Sequence, residues 1–99
     1  MEPAQQIQEL DLVVARVTAA DTHPGARGHS SLLSLDLGGR GTRQTPAPLA
    51  LEDAEALIGT QIVCALGGED TVVLAVHPRD AGLVVLRPDR EVEAGSPVA

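Results

Sequence analysis

The residues in this chain whose types could do chemistry are seven arginines, three histidines, one cysteine and fourteen carboxylates, spread over 99 positions. Arg16, Arg27, Arg40 and Arg43 lie in the first half and form a candidate nucleic-acid cluster, because a guanidinium can both pair with phosphate and stack on a base. Against that stands a net charge of −7 with no lysine and no Phe, Tyr or Trp. Nucleic-acid affinity comes mostly from cations that displace counterions along phosphates, and single strands are gripped by stacking aromatics. Anionic membrane surfaces are disfavoured for the same reason. His23, His29 and His77 have no cysteine or carboxylate at a recognisable ligand spacing beside them, so no metal site is expected. Cys64, the lone cysteine, sits in an apolar run and reads as a buried, inert thiol that can form no intrachain disulfide. There is no G-x-S-x-G elbow, P-loop, H-E-x-x-H or C-x-x-C, and the expectation is a protein that is not an enzyme and carries no cofactor.

The elements that must position these residues read as strands. Residues 11–18 are rich in β-branched Val13, Val14 and Val17. Residues 32–37 alternate, with Leu33, Leu35 and Leu37 on one face and Leu32, Ser34 and Asp36 on the other, before Gly38 and Gly39 end the run. Between them, Asp21, Pro24, Gly25 and Gly28 impose a loop. Arg40 and Arg43 lead into Gln44, Thr45, Pro46, Ala47 and Pro48, and two prolines so close place the third strand at an edge or make it short. The run LEDAEALIG predicts a short helix with Asp53 as N-cap and Gly59 at its exit, burying Ala54, Leu57 and Ile58. Residues 61–66 and 71–76 predict a hairpin around Gly67 and Gly68. A turn at 77–82 and a last strand at 83–86 follow. Ala4 to Leu10 predicts a helical turn with Ile7 and Leu10 on one face.

The length suits one domain, residues 1–99, with a thin aliphatic core. MEPAQQIQEL has neither a basic n-region nor an apolar h-region, and no apolar run approaches bilayer-spanning length. A cytoplasmic protein is the expectation.

The run QIQELDLVVARV, with HPGAR and LSLDLGG after it, resembles the start of the tRNA-binding domain family of OB-folds, closest to the branch of the export-related chaperone CsaA. That branch reads LD-I-R-V-G, then P-E-A-R-K, then L-K-I-D-F-G. The matches are Leu10, Asp11, Leu12, Val14 and Val17, then Pro24, Ala26 and Arg27, then Leu33, Leu35, Asp36, Leu37 and Gly38. The helix run is similar to the family's T-P-E-E-L-I-G. The closing Pro88, Asp89, Arg90, Val92, Gly95, Ser96 and Val98 are similar to P-D-x-x-V-P-x-G-x-x-V. The pattern breaks between the fourth and fifth strands, where relatives insert about ten further residues that wall the binding site and this chain keeps Glu69 and Asp70.

The resemblance implies an all-β, five-stranded OB-fold barrel with one short helix and short terminal extensions that pair two copies as a homodimer. It also implies a ligand groove through Gln44, Thr45 and Ala47. Leu32 and Ser34 stand where CsaA relatives carry outward lysines, which lowers the expectation for RNA. A groove lined by Leu32, Thr45 and Ala47 would suit an extended polypeptide, and an acidic surface attracts basic precursor segments. The expected function is a CsaA-like module that binds unfolded or export-precursor polypeptide. The alternative is tRNA binding by Arg16, Arg27, Arg40 and Arg43, and the third reading is a structural dimer without ligand.

Overall fold

One long strand, β1 (Leu12–Thr22), serves as the spine of the molecule. The computed structural model describes residues 10–25, 30–68, 70–80 and 82–98. After β1 come β2 (Ser31–Asp36), a 3-10 turn (Gly38–Arg40), β3 (Thr42–Ala47), helix α1 (Leu51–Ala56), β4 (Gln61–Gly67), β5 (Asp70–Val73), β6 (Ala75–Val76) and β7 (Val84–Val85). The expected turn before Leu10 and the loop residues Ala26, Arg27, Gly28 and His29 lie outside the described residues, as does Glu69.

The second half of β1 pairs with β2 from Arg16 to Thr22, and the first half pairs with β4 from Leu12 to Arg16. Between the β1–β2 partners Val17 and Ala19 the register slips, and Thr18 bonds across the irregularity to the Ser34 carbonyl at 3.2 Å. A bulge of this kind bends a strand and adds twist. That bend lets one strand sit in two ladders, giving the antiparallel order β3-β2-β1-β4-β5. The outer strands then approach each other. Thr45 Oγ1 donates to the Thr71 carbonyl at 2.6 Å, and Arg43 donates to the Gly68 carbonyl at 3.2 Å. The result is a nearly closed five-stranded barrel with one short helix, an OB-type architecture.

Its interior is built without an aromatic ring. Val13, Ala15, Val17, Leu33, Leu35, Leu37, Ile62 and Cys64 are fully buried, and Ala47, Leu49 and Ala54 extend that cluster toward the helix. The alternation in β2 is as the sequence predicts: Leu33 and Leu35 are inside while Leu32, Ser34 and Asp36 are half-exposed. β3 lies at the edge of the sheet order, where Pro46 can do without a ladder hydrogen bond on its free side.

Three local expectations are corrected. The helix begins two residues before Asp53, with extended Ala50 as N-cap and no side-chain cap, so Glu52 and Asp53 occupy its first turn. The reason is the tight turn at Pro48, held by Leu49 N–H on the Ala47 carbonyl and by the buried Ser31 hydroxyl on the Leu49 carbonyl. Ile58 points outward rather than into the barrel, leaving Ala54 and Leu57 as the plug. The strand expected over 71–76 breaks at Leu74, whose N–H still reaches the Val63 carbonyl while its own carbonyl accepts from Leu86. Beyond that point the chain leaves β4 and forms a separate two-stranded sheet, β6 with β7.

The closing segment adds to the edge of β1 that β2 leaves free. Gly95 N–H donates to Val14, Val14 N–H to Ser96, and Val98 N–H to Leu12, at 2.7–2.9 Å. The buried Gln61 amide fixes the approach by donating to the Val92 carbonyl at 2.6 Å and accepting from its N–H at 2.9 Å. Where this segment crosses the end of β2, two glycines interlock. A Cβ on Gly38 would lie 2.2 Å from the Ala94 carbonyl oxygen, and one on Gly95 would lie 2.3 Å from that of Leu37.

Gly25 and Gly95 both hold a positive φ, but only Gly95 is crowded. Gly25→Ala is expected to lose about 1 kcal/mol of unfolding free energy, from backbone strain alone. Gly95→Ala is expected to lose at least about 2 kcal/mol, because the crossing must also open. Urea denaturation of the two variants side by side measures the difference.

Candidate ligand-binding surface

Strand register decides which of the candidate residues can meet a ligand. Across β2 and β3 the pairs Leu32↔Pro46, Ser34↔Gln44 and Asp36↔Thr42 alternate with Ser31↔Ala47, Leu33↔Thr45 and Leu35↔Arg43. Directly opposed residues share a face. Leu32, Ser34 and Gln44 therefore form part of an outward, mixed-polarity strip with Pro46. Thr45 and Ala47 share the parity of Leu33 and Ser31 and are 2% and 1% exposed. They belong to the barrel wall, and the expectation that they line a groove does not fit their place. Thr45 closes the barrel through Thr71 instead of offering its hydroxyl to a ligand. A strict period-two count from Pro46 is the sequence signal that separates these residues from Gln44.

The arginines do not converge. Arg16 donates to the Gly59 carbonyl at 2.8 Å and pairs with Glu91, anchoring the junction of α1, β4 and the closing segment. Arg40 makes a two-oxygen contact with Asp11 at 2.9 and 3.1 Å, near the start of β1. Arg43 has inward parity and reaches across the rim to Gly68. Arg27 lies outside the described residues. Pairs as exposed as Arg16–Glu91 and Arg40–Asp11 contribute about 0–1 kcal/mol to stability. Their consequence here is positional: each guanidinium is turned toward an acceptor of its own chain.

His23 Nδ1 lies 2.7 Å from the Ser30 hydroxyl, tying the two ends of the β1–β2 loop, while His77 is exposed in the turn after β6. His29 lies outside the described residues. Among the described residues no group of three His, Cys, Asp or Glu is arranged to hold a metal ion, and no helix is long and apolar enough to cross a membrane.

Two apolar surfaces were not legible in the sequence. On the outer face of the barrel, register aligns Leu12, Ala65 and Val72 in one row, with Val72 59% exposed and Leu10 near the start of the same strand. The inward row beside it is Val13, Cys64 and Val73. At the helix end a groove of about 720 Å³ opens between Pro48–Ala50, the start of α1 and residues 82–85. Leu49, Leu57, Leu83 and Val85 supply its apolar side chains, and Glu52 and Asp53 stand at its mouth. Sequence periodicity assigns these aliphatics to core or to a last barrel strand. The groove exists only because the chain departs from the barrel at Leu74.

A nearly closed five-stranded barrel whose β1 serves two ladders, with a helix between β3 and β4, defines an OB-fold domain. No family model matches the chain, and no curated protein matches it in sequence. Among solved structures, the chaperone CsaA from Bacillus anthracis strain Ames superimposes with a TM-score of 0.80 at 28% identity, covering 100% of this chain and 99% of that one. The CsaA chaperone protein from Picrophilus torridus gives 0.79 at 19%, with complete coverage of both chains. A MetRS related protein from Pyrococcus horikoshii gives 0.79 at 15%, covering 100% of this chain and 98% of that one. The latter two speak for the fold alone. Over its whole length the chain is thus similar to a CsaA chaperone, which is consistent with the CsaA-like tRNA-binding OB-fold family.

Cys64 is fully buried, and burial pushes its thiol up to about 11 from the ordinary 9.0, with Arg43 opposing and Asp11 adding to the shift. The thiol is therefore protonated and unreactive at neutral pH. Between 9.0 and about 11 the unfolded chain has released its proton while the folded chain keeps it. Stability is thus unaffected by this group below 9.0 and falls as pH rises through that window. A thiol reagent at neutral pH is expected to label native protein only as fast as it opens. Cys64→Ala is expected to flatten the alkaline loss of stability in urea melts.

Proposed function

We propose that this chain is a non-catalytic, CsaA-like binding module of the cytoplasm that holds unfolded or precursor polypeptide and works as a homodimer. One observation carries the choice of polypeptide over RNA. Arg16, Arg40 and Arg43 are all turned onto acceptors of the same chain, so the described part of the cluster offers phosphates no continuous cationic track. What the β2–β3 face of the barrel exposes instead includes Leu32, Ser34, Gln44 and Pro46, aliphatic or neutral side chains. Such surfaces hold extended polypeptide through backbone and side-chain contact, and a net charge of −7 draws in basic segments.

The homodimer is supported by the row Leu12, Ala65 and Val72, an aliphatic strip on the outside of a barrel where alternation calls for polar residues. A second copy covering it removes apolar area that the monomer leaves in water.

Binding of bulk tRNA and of an unfolded precursor polypeptide, each over a salt series, tests the ligand. Precursor is expected to bind with a shallow salt dependence. Tight tRNA binding with a steep negative slope against log salt overturns the choice, and binding of neither leaves a structural dimer. Sedimentation equilibrium tests the assembly: Val72→Glu is expected to raise the dimer Kd by at least about tenfold, roughly 1.4 kcal/mol.

A further inference from the structure

The groove at the helix end is lined by Gly82, Leu83, Val84 and Val85 in unbroken succession. Of these, Val84 and Val85 form β7, and because neighbouring residues of a strand point to opposite faces, a cavity that touches both runs along the strand's edge and not over one face. That edge is open. β7 pairs only with β6 in a two-stranded sheet, in the register Ala75↔Val85 and Val76↔Val84. Leu86 N–H donates to the Leu74 carbonyl, one step along the same register, which makes 74↔86 and 76↔84 the hydrogen-bonded pairs. Alternation in an antiparallel ladder then turns the N–H and carbonyl of Val85 away from β6. Among the described residues no backbone bond joins either group to a segment outside the β6–β7 ladder.

An edge of this kind is a template for another strand. The side chains beside it set the chemistry of the occupant. Leu49, Leu57, Leu83 and Val85 form an aliphatic floor, while Glu52 and Asp53, both exposed, line the same groove from the first turn of α1. Arg87 is the one cation among the lining residues and lies at the far end of the strand. We infer that this groove binds an extended, basic polypeptide segment, which adds as a strand along the free edge of β7 with alternate aliphatic side chains on the floor and its lysines or arginines facing Glu52 and Asp53. The inference rests on the polypeptide-binding reading and places that ligand at the helix end, away from the β2–β3 face. A strand added in this way takes its affinity from main-chain hydrogen bonds and its specificity from the alternate side chains.

The test uses the full chain and a fluorescein-labelled peptide of about ten residues alternating valine and lysine. Fluorescence anisotropy is expected to show binding that weakens at least about tenfold when the peptide backbone is N-methylated at alternate residues, a change that leaves the protein untouched. Replacing each peptide lysine by glutamate is expected to abolish binding. The double variant Glu52→Lys, Asp53→Lys is expected to weaken the lysine peptide by at least about tenfold, while Asp21→Lys, on the outer face of β1, changes it by less than about twofold. Slowed amide exchange at Val85 in the complex supports the same placement. The groove assignment is overturned if the two charge reversals weaken the peptide equally, or if N-methylation has no effect. It is also overturned if the double variant dissociates the dimer in sedimentation, because the groove is then a contact between copies. In each of those cases an unfolded precursor that still binds leaves the polypeptide reading standing. Failure of the precursor itself to bind overturns both.

Discussion

The structure depends on β1 carrying three sets of backbone hydrogen bonds. Its second half supplies β2, its first half supplies β4, and the edge left free beside that first half is taken by residues 95–98. A flat strand has two edges, and serving three partners requires that they be divided along its length. The division falls at Arg16, the last partner of β4 and the first of β2, and the slip between Val17 and Ala19 just beyond it bends the strand. From this the remaining geometry follows: the sheet curls, β3 approaches β5, and the aliphatic residues of odd number in β1 and β2 meet across a narrow interior.

A barrel of this width filled only with Val, Leu, Ile and Ala leaves small side chains to do what aromatic rings do elsewhere. Close approach of backbone compensates. Gly38 and Gly95 let the closing segment lie against the end of β2 at a separation no side chain permits, and Gln61 satisfies both backbone groups of Val92 in a setting where an unpaired group would cost about 1–3 kcal/mol. Polar side chains are thus spent on closure, as with Thr45 on Thr71 and Ser31 on Leu49. Arg16, Arg40 and Arg43 are spent in the same way. Their charge is turned onto acceptors of the chain itself, near the ends of strands.

The division of labour between the barrel and the β6–β7 hairpin has a functional consequence. In the barrel β2, β1 and β4 each lie between two paired strands, while β3 and β5 meet through the Thr45 and Arg43 side chains. The hairpin, which begins once Leu74 passes from Val63 to Leu86, has only two strands and keeps an edge open beside an aliphatic floor. The open strand edge therefore lies where the barrel pattern is broken.

Much of the barrel was legible in the residues themselves. The alternation of Leu33 and Leu35 with Ser34 and Asp36, the β-branched run through Val14, and the prolines that confine β3 to an edge are local properties, set by side-chain parity and by which residues can donate a hydrogen bond. The buried character of Cys64 followed from its apolar neighbours in the same strand. The helix N-cap lies three residues before Asp53 because the Ser31 contact that holds the Leu49 turn spans eighteen positions. Thr45 and Ala47 were drawn to the ligand side because residue type alone does not state register. What only the tertiary structure decided was which groups are already engaged. Arg16 meets Glu91 seventy-five residues away, Arg40 meets Asp11, and the edge of β7 is left without a partner. Pattern within a strand is a short-range property, whereas the occupation of a charge or a strand edge depends on what the fold brings beside it.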